Sequence, residues 1–71
     1  MPSNIDGIDF SGHALDRMQD RGIPISVIKE TIIHGKKTNL GEGVSKYYDI
    51  KNNISVITNT DGKVITVRYG K

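Results

Sequence analysis

One histidine and two arginines recur at helical spacing near the start of the chain. His13, Arg17 and Arg21 stand four residues apart, so a helix would carry them as one polar stripe. An imidazole can give or take a proton near neutral pH, and a guanidinium beside it can hold a phosphate or an oxyanion. In the alternative interpretation, His13 begins a helix and both arginines lie on a solvated face, paired with Asp16 and Asp20.

Metal chemistry has little support in the sequence. Two histidines far apart, in a chain without cysteine, do not form a recognisable zinc set. His34 precedes Gly35 at the end of a predicted helix, where the helix dipole favours a cation, so we leave it out of the site. Asp49 and Lys51 have the Asp-x-Lys spacing of some metal-dependent nucleases, yet no partnering acid is evident. We expect no metal and no cofactor, and keep metal-dependent DNA cleavage as an alternative.

Two helices are predicted to carry the stripe and its support. Ser11 is a suitable N-cap and Gly22 a suitable left-handed C-cap for the first helix. The second helix begins around Pro24, a residue that suits the first helical position, and ends at Gly35. Residues 1–10 contain Pro, Ser, Asn and Gly, which predicts an irregular N-terminal segment.

From Lys36 onward the sequence is typical of β-structure. Strands are predicted at 36–40, 44–50, 54–59 and 64–69, with an Asp61-Gly62 hairpin turn before the last one. The expected fold is α+β, with two N-terminal helices packed on an antiparallel sheet of three to four strands. The chain is then a single domain over 1–71, with helices in 11–35 and the sheet in 36–71.

Side-chain alternation sorts the strand residues into two faces. In the last strand it predicts a core face that consists of Ile65, Val67 and Tyr69. The opposite, polar face then consists of Val64, Thr66 and Arg68. In the strand 44–50 it places Lys46 on an otherwise apolar face. Because burying an unpaired ammonium is costly, we expect either an edge strand or bulge that lets Lys46 reach water, or a functional role.

The composition bounds the function classes. The chain has 71 residues and a formal net charge of +2, with a pI near 9.0. A domain this small buries only about 60% of the surface that its unfolded chain exposes, so its core is thin. The absence of cysteine excludes disulfides. No apolar run is long enough to span a membrane, and no signal peptide is evident. The charge excess alone is too small to indicate nucleic acid.

One reaction suits this inventory of side chains. In metal-free RNA cleavage, the 2′-hydroxyl of the substrate is the nucleophile, so the protein supplies only proton transfer and charge stabilisation. A histidine can move one proton, and Arg, Lys, Thr and Tyr side chains can donate to the phosphoryl oxygens. The candidate residues are His13, Arg17, Arg21, Lys46, Tyr47, Tyr48, Thr66, Arg68 and Tyr69.

The motif on the first helix also resembles a known family. The run Ser11-Gly-His13-Ala-Leu-Asp-Arg17-Met-Gln-Asp-Arg21-Gly22-Ile23, with the helix ending at His34-Gly35 and the strand over 65–68, is similar to small toxin domains of the barnase–EndoU–colicin–RelE superfamily. These include toxin domains of CdiA-type contact-dependent inhibition proteins. The resemblance covers residues 11–69. It implies two helices on a twisted antiparallel sheet of about four strands.

The resemblance implies an activity and residue roles. The activity is metal-independent cleavage of RNA, commonly transfer RNA, which leaves a 2′,3′-cyclic phosphate. By position, His13, Arg17 and Thr66 match active-site residues, and Arg21 either contacts RNA or anchors the end of the helix. RNA contacts by the remaining candidates rest on chemistry and strand position; these are Lys46, Tyr47, Arg68 and Tyr69.

The resemblance also implies a biological setting. Such toxins are delivered effectors that act in the cytoplasm of a target bacterium and are blocked by a cognate immunity protein or antitoxin. A basic domain suits an acidic partner of this kind. Two alternatives stay open: a RelE-like toxin that cuts messenger RNA on the ribosome, and a non-catalytic RNA- or protein-binding module that uses Arg17 and Arg21 for phosphate contacts only.

Overall fold

The computed structural model describes residues 3–71 as two helices on one side of a six-stranded sheet. The elements in chain order are β1 (Ser3–Ile5), β2 (Ile8–Phe10), α1 (Gly12–Arg21), α2 (Ile25–His34), β3 (Lys36–Gly41), β4 (Val44–Asp49), β5 (Ile54–Thr58) and β6 (Val64–Tyr69). The strand order across the sheet is β1-β2-β6-β5-β4-β3. All neighbouring strands are antiparallel except β2 and β6, which are parallel.

The predicted sheet was therefore wrong: it is mixed and six-stranded, not antiparallel with three to four strands. The fold is α+β with two helices, but two strands precede them. Residues 3–10 of the segment expected to be irregular form a hairpin, whereas Met1 and Pro2 lie outside the described residues. The turn of this hairpin is Asp6-Gly7, with φ of 54° and 80°. Positive φ at both turn residues matches the right-handed twist of paired strands.

The predicted ends of α1 are confirmed. Ser11 is extended at the N-cap, and its hydroxyl accepts from the Ala14 backbone N–H. Gly22 ends the helix in the left-handed region, with φ of 62°. Helix α2 begins one residue later than predicted, because Pro24 is extended and serves as the N-cap.

Gly35 sets how closely the end of α2 approaches the sheet. A Cβ built at this position would lie 2.9 Å from the carbonyl oxygen of Tyr48 in β4. That is closer than carbon and oxygen atoms pack, so only glycine allows α2 to end directly against β4. The last residue of α2, His34, and the first of β3, Lys36, are thereby held beside Tyr48.

Both helices pack on the same face of the sheet. The buried core is formed by Phe10, Ala14, Met18, Ile23, Ile28, Ile54, Val56, Val64 and Val67. Val64 was predicted to face away from Val67, and that prediction was wrong. The register shifts between Ile57 and Thr58, so that Ile65 is an extra residue on β6. Strict alternation fails across such a bulge.

The N-terminal hairpin contributes to stability through Phe10, which is 1% exposed. We expect Phe10→Ala to lower the free energy of unfolding by about 3–5 kcal/mol, because it leaves a cavity in a thin core. Ile50→Ala is the matched control, because Ile50 is 83% exposed and its truncation should change the free energy by less than about 0.5 kcal/mol. Urea denaturation measures both. Equal effects would show that β2 is not part of the core.

Candidate functional site

Helix α1 is fastened lengthwise along β6 by hydrogen bonds at both of its ends. At the start, the Ser11 backbone N–H donates to the carbonyl oxygen of Val64 at 2.9 Å, and its hydroxyl donates to that of Ile65 at 3.2 Å. At the end, Nη1 of Arg21 donates to the carbonyl oxygen of Val67 at 2.6 Å. Since His13 and Arg17 share the helix face of Arg21, the polar stripe follows the edge of β6.

The three predicted catalytic residues lie at this margin between α1 and β6. Nε of Arg17 donates to Nε2 of His13 at 3.4 Å, and His13 is exposed. Thr66 lies between Ile65 and Val67, whose carbonyl oxygens bind the start and the end of α1, so it lies beside the helix. The Thr66 side chain points to the face opposite the helices, as its partner Ile57 does. The stripe and Thr66 therefore lie on opposite sides of the same stretch of β6, beyond the point where β2 pairs with it at Val64.

Arg21 and Tyr69, which are predicted to bind RNA, take part in fastening α1 to β6. The Tyr69 hydroxyl donates to the Arg21 carbonyl oxygen at 2.8 Å. Arg21 itself is bound to the β6 backbone, although its side chain is still exposed. Arg17 pairs only loosely with Asp20, at 4.0 Å between Nη1 and Oδ2, and a surface pair of this kind contributes about 0–1 kcal/mol. Arg17 is thus the arginine of the stripe that is available to a ligand.

Tyr47 lies on the opposite side of the sheet from Lys46 and Arg68. Its side chain packs against the core, on the helix side of the sheet. Nζ of Lys37 lies 5.8 Å from the centre of its ring. Tyr69 contacts α1 on that same side. The structure therefore does not bring Tyr47 and Tyr69 together with Lys46 and Arg68.

The opposite side of the sheet, which we call the open face, carries two rows of residues in register. Both helices contribute to the core on the other side, so neither covers it. One row runs Lys36, Tyr48, Ser55 and Arg68 across β3, β4, β5 and β6; the second runs Thr38, Lys46, Ile57 and Thr66. Lys46 needs neither an edge strand nor a bulge to reach water, because its face has no helix over it.

The charge on the open face has one sign. Its two rows contain three cationic side chains and no carboxylate. Lys71 adds a fourth cation, with Nζ 5.5 Å from the centre of the Tyr48 ring. Two hydrogen bonds hold residues 70 and 71 against the sheet. The Ser55 hydroxyl donates to the Gly70 carbonyl oxygen, and Nη2 of Arg68 donates to the Lys71 carbonyl oxygen at 3.1 Å. This concentration of positive charge favours a polyanion.

A depression of about 400 Å³ opens at the β3 end of the open face. It is lined by His34, Gly35, Lys36, Tyr48, Asp49, Ile50 and Lys71. Sequence reasoning set His34 aside and did not single out Lys36 or Lys71. Alternation along β4 places Tyr48 on the same face as Lys46. That Lys36 lies beside Tyr48 follows only from the pairing of β3 with β4. We refer to this feature as the Tyr48 depression.

Asp49 is committed to the turn that follows β4. Its carboxylate accepts from the Lys51 backbone N–H at 3.0 Å and from Nδ2 of Asn52 at 2.7 Å. The Asn52 hydrogen bond is the main reason that the pKa of Asp49 is below its usual value of 3.8. A lowered folded-state pKa means that this stabilisation is present at neutral pH and is lost as the pH falls through that pKa. Within residues 3–71, no three His, Cys, Asp or Glu side chains cluster as metal ligands.

The fold and the site define a small α+β domain with one basic, helix-free sheet face. The chain belongs to a family described as a domain of unknown function, DUF4258, whose model matches residues 10–69. Comparison with curated proteins gives no match, and comparison with solved structures gives none either. Of the helices in the described part, neither is long and apolar enough to cross a membrane.

The two arginines of the stripe should differ in their effect on stability. We expect Arg21→Ala to lower the free energy of unfolding by about 1 kcal/mol, because it removes the hydrogen bond to Val67. Arg17→Ala should change it by less than about 0.5 kcal/mol. Thermal and urea unfolding of the two variants measure the difference. A larger loss for Arg17 would contradict the assignment of Arg21 as the residue that fastens α1.

Proposed function

We propose that this domain is a metal-independent endoribonuclease that cleaves RNA at the margin between α1 and β6. The observation that carries the proposal is the fastening of α1 along β6, because it places the helix of His13 and Arg17 against the strand whose Thr66 side chain lies on the open face. RNA is a polyanion, and its own 2′-hydroxyl supplies the nucleophile. A site with one histidine, hydrogen-bond donors and no cluster of metal ligands suits that chemistry.

The reaction moves two protons and exchanges one bond at phosphorus. The 2′-oxygen forms a bond to the adjacent phosphorus while the bond from phosphorus to the 5′-oxygen breaks. The products are a 2′,3′-cyclic phosphate and a 5′-hydroxyl. The 2′-hydroxyl loses a proton and the leaving oxygen gains one; His13 carries one of these transfers. Arg17 and the Thr66 hydroxyl donate to the phosphoryl oxygens, where negative charge develops.

The proposal extends to substrate and setting. Transfer RNA is the proposed substrate, and the domain is proposed to be a delivered toxin that acts in the cytoplasm of a target bacterium. Its cognate immunity protein or antitoxin would present an acidic surface to the cations of the open face. Cleavage of free transfer RNA without ribosomes supports this proposal, whereas cleavage of messenger RNA only on ribosomes supports the RelE-like alternative.

His13→Ala tests the site directly. We expect the variant to lose about 10²–10⁴-fold in cleavage rate, the usual contribution of a positioned general acid or base. Gln19→Ala is the matched control, because Gln19 is exposed on the same helix and has no role in the proposed reaction. Both variants are incubated with total RNA and a chelator, and the cut species are mapped. If His13→Ala keeps full cleavage activity, the assignment of His13 is wrong. If the unaltered protein loses its cleavage activity in chelator, the reaction is not metal-independent.

The surroundings of His13 favour a second candidate, a non-catalytic RNA-binding module. His13 is exposed, and the one hydrogen bond of its side chain among the described residues is the 3.4 Å contact from Arg17. In catalytic triads, by contrast, a further buried group orients the histidine. If the domain is such a module, its affinity for RNA falls as the salt concentration rises. It then cleaves no RNA, and His13→Ala leaves the affinity unchanged.

A further inference from the structure

We infer that the Tyr48 depression binds one nucleotide of single-stranded RNA, with the base on the Tyr48 ring and the flanking phosphates at Lys36 and Lys71. The inference rests on the proposed function only in taking RNA as the ligand. The depression lies on β3 and β4, away from the margin between α1 and β6. It would therefore hold the RNA strand at a distance from the reacting bond.

The Tyr48 ring is fixed as a flat surface. Its hydroxyl donates to Oδ1 of Asn53 at 2.6 Å, and its neighbours in the row are Lys36 and Ser55. Lys71 now lies over the ring, with Nζ 5.5 Å from its centre. An exposed cation–π contact is weaker than a stacked base, so a base can displace the ammonium. Lys71 is then free to meet a phosphate beside the same ring.

The size and lining of the depression match one nucleotide. Its volume of about 400 Å³ lies in the range of small-ligand sites. Ile50 is 83% exposed and gives the depression an apolar wall, while Lys36 and Lys71 supply positive charge for phosphate. Asp49 is the one carboxylate of the lining, and Nδ2 of Asn52 holds it in the turn after β4. A base inside a duplex cannot reach a tyrosine ring, since both of its faces are already stacked. The occupant is therefore single-stranded.

The open face connects the depression to the proposed cleavage margin. The row from Lys36 to Arg68 crosses four strands, a span of about 14 Å at the usual strand spacing. Arg68 on β6 continues the positive charge toward Thr66 and the α1 stripe. A single strand bound at Tyr48 would thus pass Arg68 and reach Thr66, on the open-face side of the proposed cleavage margin.

Two lysines of β3 provide a matched test. Lys36 and Lys37 are neighbours, both are exposed, and each substitution by alanine removes one charge. Lys36 pairs with Tyr48 on the open face, whereas Lys37 pairs with Tyr47 on the helix side. The probe is a fluorescent single-stranded 2′-O-methyl RNA, which has no free 2′-hydroxyl and is not cut. We expect Lys36→Ala to weaken binding and to reduce the slope of log K against log salt by about 0.7, and Lys37→Ala to change neither.

Tyr48 provides the test of stacking. We expect Tyr48→Ala to weaken binding by about 5- to 100-fold, and Tyr48→Phe to restore most of it because the ring remains. Circular dichroism melting establishes that each variant is folded; if Tyr48→Ala is not, the lysine pair still decides. Duplex RNA of the same sequence should bind more weakly than the single strand, with no dependence on Tyr48.

The outcomes separate this inference from the proposed function. Equal effects of Lys36→Ala and Lys37→Ala, or duplex binding as tight as single-strand binding, overturn the inference. If His13-dependent cleavage is seen alongside equal lysine effects, the proposed function stands and the inference falls. If binding depends on Lys36 and Tyr48 but no RNA is ever cut, the inference stands and the ribonuclease proposal falls.

Discussion

Three hydrogen bonds at Ser11 fix the arrangement on which the candidate site depends. Its backbone N–H and its hydroxyl donate to the carbonyl oxygens of Val64 and Ile65, and the hydroxyl accepts from the N–H of Ala14. One residue thus ends the pairing of β2 with β6, begins α1 and sets the starting point of α1 on β6. That junction fixes one end of the helix that carries His13 and Arg17, and the hydrogen bond from Arg21 to Val67 fixes the other.

The packing of both helices on one side divides the sheet into a core face and the open face. A chain of 71 residues has little apolar surface to bury, and it places both helices on one side to form a single core. The other side can then carry Lys36, Lys46 and Arg68 without burying an ammonium or guanidinium. Positive charge accumulates there because no helix requires an apolar partner on that face.

The sequence allowed prediction where the signal was local. Ser11 and Gly22 bound α1 as expected, since each cap acts within one turn. The N-terminal hairpin also has a local turn signal, the Asp6-Gly7 pair. Its strands have only three residues each, which is too short for a pattern of alternating polar and apolar residues to identify them. The error at Val64 has a different cause, because a bulge shifts the register and depends on the partner strand.

Long-range packing decided the rest of the site. Alternation separates Tyr47 from Tyr48 but does not tell which of them faces the helices. That choice follows from where α2 packs, and it puts Tyr47 against the core and Tyr48 on the open face. Lys36 and Lys71 join Tyr48 only through strand pairing and the path of the chain after β6. No local pattern of residues contains that information.

Amide chemical-shift changes on adding uncleavable single-stranded RNA to the labelled protein test most directly whether RNA binds on the open face. We expect the largest changes to follow the two rows of the open face, from Lys36 and Tyr48 to Arg68, and to extend to His13. Changes confined to α2 or to the hairpin of β1 and β2, with the rows unaffected, would contradict it.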